Sequence, residues 1–126
     1  MNVHAANAEK YLACSFIQGR TKQWYWKAKS KVLESKIEQK LVKGIKAMGG
    51  RAYKWVSPGN TGVPDRIVIF PDGKVEFVEL KTDTGRTTPL QKAQLRRLVQ
   101  LNCTAHVLYG EQDVNEYLDM HAMRFD

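Results

Sequence analysis

Cysteine is almost missing: Cys14 and Cys103 are the only two in 126 residues, far apart and without a paired metal spacing. A disulfide scaffold and a thiolate zinc site are therefore not expected. Free thiols in a reducing, cytoplasmic setting (the host cell cytoplasm if the chain is viral) are the default reading. The three histidines, His4, His106 and His121, are equally scattered, so no zinc site is expected from them either. No apolar run approaches the ~20 residues that a membrane span needs. The first residues lack the basic-then-apolar layout of a secretory leader, so no membrane partner is expected. No internal repeat or low-complexity tract is present, and no motif asks for an organic cofactor. Acidic residues are in deficit, with 13 Asp and Glu against 20 Lys and Arg, a net charge of +7. That balance favours a polyanionic partner.

The length suits one domain with a single core. The charge is uneven along it. Residues 1–33 carry six basic side chains and one acid, a net +5 of the +7. A basic, aromatic N-terminal arm is expected over 1–30 and a compact domain over 31–126. In the arm, Lys22, Lys27 and Lys29 interleave with Trp24, Tyr25 and Trp26, and Lys31 follows. These cations can track a phosphate backbone without reading sequence. The aromatics either stack on bases or anchor the arm to its own core or to a dimer partner, packing being the commoner use.

Chemistry concentrates between residues 61 and 85, TGVPDRIVIFPDGKVEFVELKTDTG. Two strand-like runs, RIVIF and KVEFVELK, flank Pro71-Asp72-Gly73. Pro71 suits the first turn position and Gly73 the left-handed one of a three-residue hairpin loop. That loop sets Phe70 across from Lys74, and counting outward sets Ile69 across from Val75, Ile67 from Phe77 and Asp65 from Glu79. Directly opposed residues share a face, and so do Glu79 and Lys81, two apart on one strand. A two-residue loop would shift the register by one and send Asp65 to the other face. The expected result is two carboxylates and an ammonium above an apolar floor of Ile67, Phe77, Ile69 and Val75. Such a trio suits metal-assisted phosphodiester hydrolysis, with Asp65 and Glu79 holding a hard cation, Mg2+ or Mn2+, and Lys81 near the attacking water or the phosphate. A backbone carbonyl at Leu80 adds an oxygen ligand. Glu79 also interrupts the apolar run Val75, Phe77, Val78 and Leu80, where an ionised side chain is costly without a partner. The preceding loop, Ser57 to Gly62, is built from turn formers, and Gly59 and Asn60 there can approach a phosphate closely.

A helix is expected from Lys31 to Met48, stopped by Gly49-Gly50, with Leu33, Ile37, Leu41 and Ile45 as its buried stripe. Glu38 lies beside that stripe and can reach inward. Glu34, one turn earlier, competes for the same role. A strand follows at Arg51–Val56. After a polar loop containing Arg86, Thr88 and Pro89 start a second helix, expected to run to Leu101 and to bury Leu90, Leu95, Leu98 and Leu101. Gln91 in its first turn either orients a water or a phosphate oxygen or is a solvated glutamine. A strand over Thr104–Tyr109 and a helix over Glu111–Met120 close the chain. The class is α/β.

The string SPGNTGVPDRIVIF…VEFVELK…TPLQKAQLRRL resembles a VRR-NUC domain, a branch of the PD-(D/E)xK nuclease superfamily, over about residues 35 to 110. The resemblance implies a restriction-endonuclease-like core of αβββαβ order, a mixed sheet flanked by helices. It selects Glu38 over Glu34 as the helical acid and places Asp65, Glu79, Lys81 and Gln91 at the family's motif positions. It implies divalent-metal-dependent cleavage of DNA, often branched or flapped. Small stand-alone members, frequently from phages, resemble Holliday-junction resolvases and tend to form homodimers. Two other readings stay open. One is a catalytically silent DNA-binding module on a nuclease fold. The other is a restriction-type enzyme, which would need more chain than this to read base edges.

Overall fold

The computed structural model describes residues 19–125 and, within them, the side chains of Lys29 and of 31–125. Cys14, His4 and the side chains of Lys22, Trp24, Tyr25, Trp26 and Lys27 lie outside the described residues. Helix α1 spans Gly19–Ala47 and so begins well before the expected Lys31. The reason is local: residues 20–30 contain no proline or glycine, and their Lys, Gln and Ala favour helix. The chain divides into two compact units, Met1–Leu33 and Glu34–Asp126. The sheet and every candidate catalytic residue belong to the second.

After α1 come β1 (Arg51–Lys54), β2 (Arg66–Ile69), β3 (Val75–Lys81), α2 (Pro89–Gln100), β4 (Thr104–Tyr109) and α3 (Gly110–Ala122). The four strands lie in the order β1-β2-β3-β4. The first three are antiparallel, and β4 joins β3 in parallel after the α2 crossover. This is the mixed α/β sheet with the expected element order, closing helix included. The hairpin register is also the expected one, with Ile67 paired to Phe77 and Ile69 to Val75. Phe70 N–H donates to Lys74 O at 2.9 Å and Gly73 N–H to Phe70 O at 2.9 Å, with Gly73 at φ +87. The turn chemistry of three residues thus decides which way Asp65 faces.

The core forms on the opposite face of that hairpin. Val68, Phe70, Val78 and Leu80 pack with Ile37, Leu41 and Ile45 of α1, Leu108 of β4, and Val114 and Tyr117 of α3. The expected floor is present but thinner: Ile67, Ile69 and Phe77 are only half-buried, and Val75 is 44% exposed. Helix α2, expected to bury four leucines, buries none of its residues. Leu95 and Leu98 are half-buried, but Leu90 and Leu101 are 57% and 67% exposed. Leu90 precedes Leu95 by five residues, about 140° around the helix, and Leu101 falls beyond the last helical turn. Within the core, Leu41 is fully inaccessible. Leu41→Ala should lower unfolding free energy by about 2–5 kcal/mol, read as a shift of the urea midpoint at constant slope.

The structure also gathers what the sequence scatters. Tyr117 Oη donates to Glu76 Oε1 at 2.7 Å, and the Nε2 atoms of His106 and His121 stand 3.1 and 3.4 Å from the same oxygen. Burial and the Glu76 carboxylate hold the Tyr117 phenol well above its usual range. Burial holds His121 below the usual imidazole range. The parallel β4 and α3 make this cluster, so no spacing announces it.

Candidate active site

The end of the β2–β3 hairpin opens into a cavity of about 210 Å³ lined by Glu34, Ile37, Glu38, Asp65, Glu79, Leu80, Lys81 and Gln91. All five expected catalytic residues line it, and so does Glu34, the competing acid. Asp65 precedes β2 and reaches across to β3, where its Oδ2 accepts the Leu80 N–H at 2.9 Å. Its own carbonyl accepts Trp55 N–H at 2.9 Å, which continues the β1 pairing beyond Lys54. In a strand, a residue's N–H and C=O face the same neighbour. The Leu80 carbonyl therefore opens on the Asp65 side, beyond the last paired residues of β2.

Glu79 is only 1% exposed. Lys81 Nζ stands 3.4 Å from its Oε1, and Gln91 Nε2 donates to that same oxygen at 3.1 Å. Oε2 is buried without a partner. Burial first, then the negative charge of Asp65, push the Glu79 carboxyl up to about 7, against the opposing pull of Lys81. A carboxylate with one oxygen orphaned beside a second carboxylate is a site short of positive charge. Its oxygen-only donors suit a hard divalent cation.

Gln91 is held from its other end. Its Oε1 accepts Thr88 N–H at 2.9 Å, while Thr88 Oγ1 accepts Gln91 N–H at 3.2 Å, a reciprocal cap at the start of α2. With its oxygen engaged there, the amide has only NH2 to offer Glu79. The sequence reading gave Gln91 a water or phosphate oxygen to orient; here it orients the carboxylate itself. The close fit of α2 to the β1–β2 loop needs Gly62, at φ +93, where a Cβ would come within 2.9 Å of the Leu90 and Gln91 backbone.

Glu38 lines the cavity but turns to Arg66, whose Nη2 lies 3.4 Å from its Oε2. Arg66 Nη1 also donates to Ala52 O at 3.3 Å. Arg66 was missed by motif reasoning, although its place next to Asp65 on a strand sends it to the opposite face, toward α1. Among the described residues no group of three or more His, Cys, Asp or Glu side chains is gathered tightly enough to hold an ion unaided. Two carboxylates converge, and Glu38 stands by.

Of the expected DNA-contacting residues, Gly59, Asn60, Arg86 and Lys31 are exposed, and Lys29 is half-buried. The Gly59 face is open. Asn60 is tied back, its N–H donating to Ser57 O and its Nδ2 to Ser57 Oγ. No described helix is long and apolar enough to cross a membrane. Cys103 is a free thiol.

Comparison with known proteins is consistent with this geometry. The family described as "VRR-NUC domain" matches residues 5–112. A protein of Acyrthosiphon pisum secondary endosymbiont phage 1, named "Putative nuclease p44", is 44% identical over 87 residues, 69% of this chain and 92% of that protein. A solved structure titled as a VRR-NUC domain superposes with a TM-score of 0.65 at 25% identity, covering 68% of this chain and 94% of that one.

Proposed function

The chain belongs to the VRR-NUC family of nuclease domains, and from that premise we propose that it is a divalent-metal-dependent DNA endonuclease that prefers branched substrates such as four-way junctions or flaps. The observation that carries this reading is the buried Glu79, with one oxygen unpartnered, beside Asp65 and Lys81 in a single cavity.

Mg2+ or Mn2+ held by Asp65, Glu79, the Leu80 carbonyl and Glu38, directly or through water, would lower the pKa of water and neutralise charge on the phosphodiester. The remaining work belongs to the chain. Lys81, with its side chain 18% exposed, is the nearest cation to Glu79 and the group able to reach a phosphate in the cavity. It stabilises charge as the phosphorus–oxygen bond breaks and moves a proton at the attacking water. Gln91 keeps Glu79 in one rotamer, so that the site is organised before substrate arrives. Arg66 holds Glu38 within reach of the cavity.

Basic residues of the 1–30 arm and the exposed Arg86 add sequence-independent affinity for the backbone. Symmetric cutting of a junction needs two sites, so the acting form is proposed to be a homodimer. The host cell cytoplasm is the proposed setting, in keeping with the phage origin of the relative.

The direct test is cleavage of labelled four-way junction, flap and linear duplex of matched sequence, with Mg2+, Mn2+ or EDTA. The branched substrates should be cut in either metal and left intact in EDTA. Tight binding without cutting in any metal would return the reading to a silent DNA-binding module.

A further inference from the structure

A second depression, about 600 Å³, lies beside the catalytic cavity and is lined by Asp83, Thr84, Gly85, Arg86, Thr87, Lys92 and Tyr109. Two observations place it within one residue of the chemistry. Tyr109 is the strand partner of Lys81 in the parallel β3–β4 register. Gly85, on its wall, packs so closely on Lys81 that a Cβ there would meet Lys81 Cβ at 3.2 Å. Both contacts are with Lys81, so a group held in the depression would neighbour one held at Lys81 in the cavity.

The lining has the chemistry of a nucleotide. Among the described residues neither Arg86 nor Lys92 has a carboxylate partner, so two cations face the pocket uncompensated. Its one acid, Asp83, lies against Gly110 at the start of α3, where a Cβ would overlap Asp83 Oδ1. There the positive end of the helix dipole answers its charge. Tyr109 supplies an aromatic ring, and its backbone is fixed by its N–H donating to Asp113 Oδ2 at 2.9 Å. The volume lies within the range of small-ligand pockets.

We propose that this pocket takes a single unpaired nucleotide of DNA next to the scissile phosphate, with Tyr109 against its base and Arg86 and Lys92 on its phosphates. A base inside a duplex is stacked on both sides and must be extruded, at a cost, before it can enter. At a junction, flap or splayed end a base is already free. The pocket therefore makes the nuclease selective for branched DNA, and the inference rests on the nuclease reading above.

Binding separates the two. Fluorescence anisotropy with a labelled flap, a matched duplex and a short labelled oligothymidylate, in EDTA, needs no cutting. The wild-type protein should favour flap and oligothymidylate over duplex. Tyr109→Ala should reduce that preference by about tenfold, the scale of one base–aromatic stack, while Tyr109→Phe keeps it. A wild-type protein with no preference would overturn the proposal. So would a Tyr109→Ala variant with an unchanged ratio, or with equal losses on all three DNAs, since those losses report general charge or misfolding. Preference without any metal-dependent cleavage would sink the catalytic reading and leave the pocket standing.

Discussion

Lys81→Ala should abolish cleavage while leaving cation and DNA binding in place. Removing one preorganised charge from such a site costs on the order of 10³-fold in rate. Lys81 is the only cation within salt-bridge distance of Glu79 among the described residues, and it shares that site with nothing that can replace it. Cation binding should behave differently. The ammonium repels an incoming divalent ion, so calorimetry with Ca2+ should show affinity equal to or tighter than wild type. Loss of cutting with retained Ca2+ binding assigns Lys81 to the chemical step. A variant that cuts at the normal rate would mean that the reaction happens elsewhere.

Glu79→Gln should make the metal-free protein more stable and the enzyme inactive. The Glu79 carboxyl is pushed up to about 7 in the fold, from 4.5. Between those values the folded chain retains a proton that the unfolded chain has released. The unfolded state then binds fewer protons, and stability falls as pH rises through the window. At about 1.4 kcal/mol per pH unit, the penalty above pH 7 has a ceiling of about 3 kcal/mol. Glutamine keeps the acceptor for Gln91 Nε2 and removes the desolvated charge. His121, held low by burial, pulls the other way in this window, so the test is the difference. The stability of wild type relative to the variant in EDTA, read by urea unfolding, should fall from pH 5 to pH 8. Ca2+ binding should be lost with the charge. If the slopes matched, Glu79 would not be the strained group. Such a trade between stability and activity is usual at sites that await a charged ligand.

Much of this site was legible because it is local. Asp65, Glu79 and Lys81 fall within one hairpin, and three loop residues with defined turn preferences fix their register. The stripe Ile37, Leu41 and Ile45 and the Thr88–Pro89 helix start follow from equally short-range rules. Where long-range packing decides, the sequence was silent or misleading. Leu90 and Leu101 look like core residues but lie exposed, because nothing in the spacing says which face of α2 meets β4. Gln91 was seen as polar and near the site, yet its partner is Glu79, which only the placement of α2 could reveal. The convergence of His106, His121 and Tyr117 on Glu76 depends on a parallel strand arriving from far along the chain.

That parallel strand has a kinetic side. The β2–β3 hairpin is built from neighbours and can form within microseconds. The β4 strand cannot pair with β3 until α2 has formed and the chain has crossed back, so non-local closure comes late. Until then β3, carrying the most buried apolar side chains of the sheet, shows an open edge to other nascent chains. Glu76, Glu79 and Lys81 are spaced along that edge. Charges at such an edge are the kind that discourage two half-folded copies from zipping together.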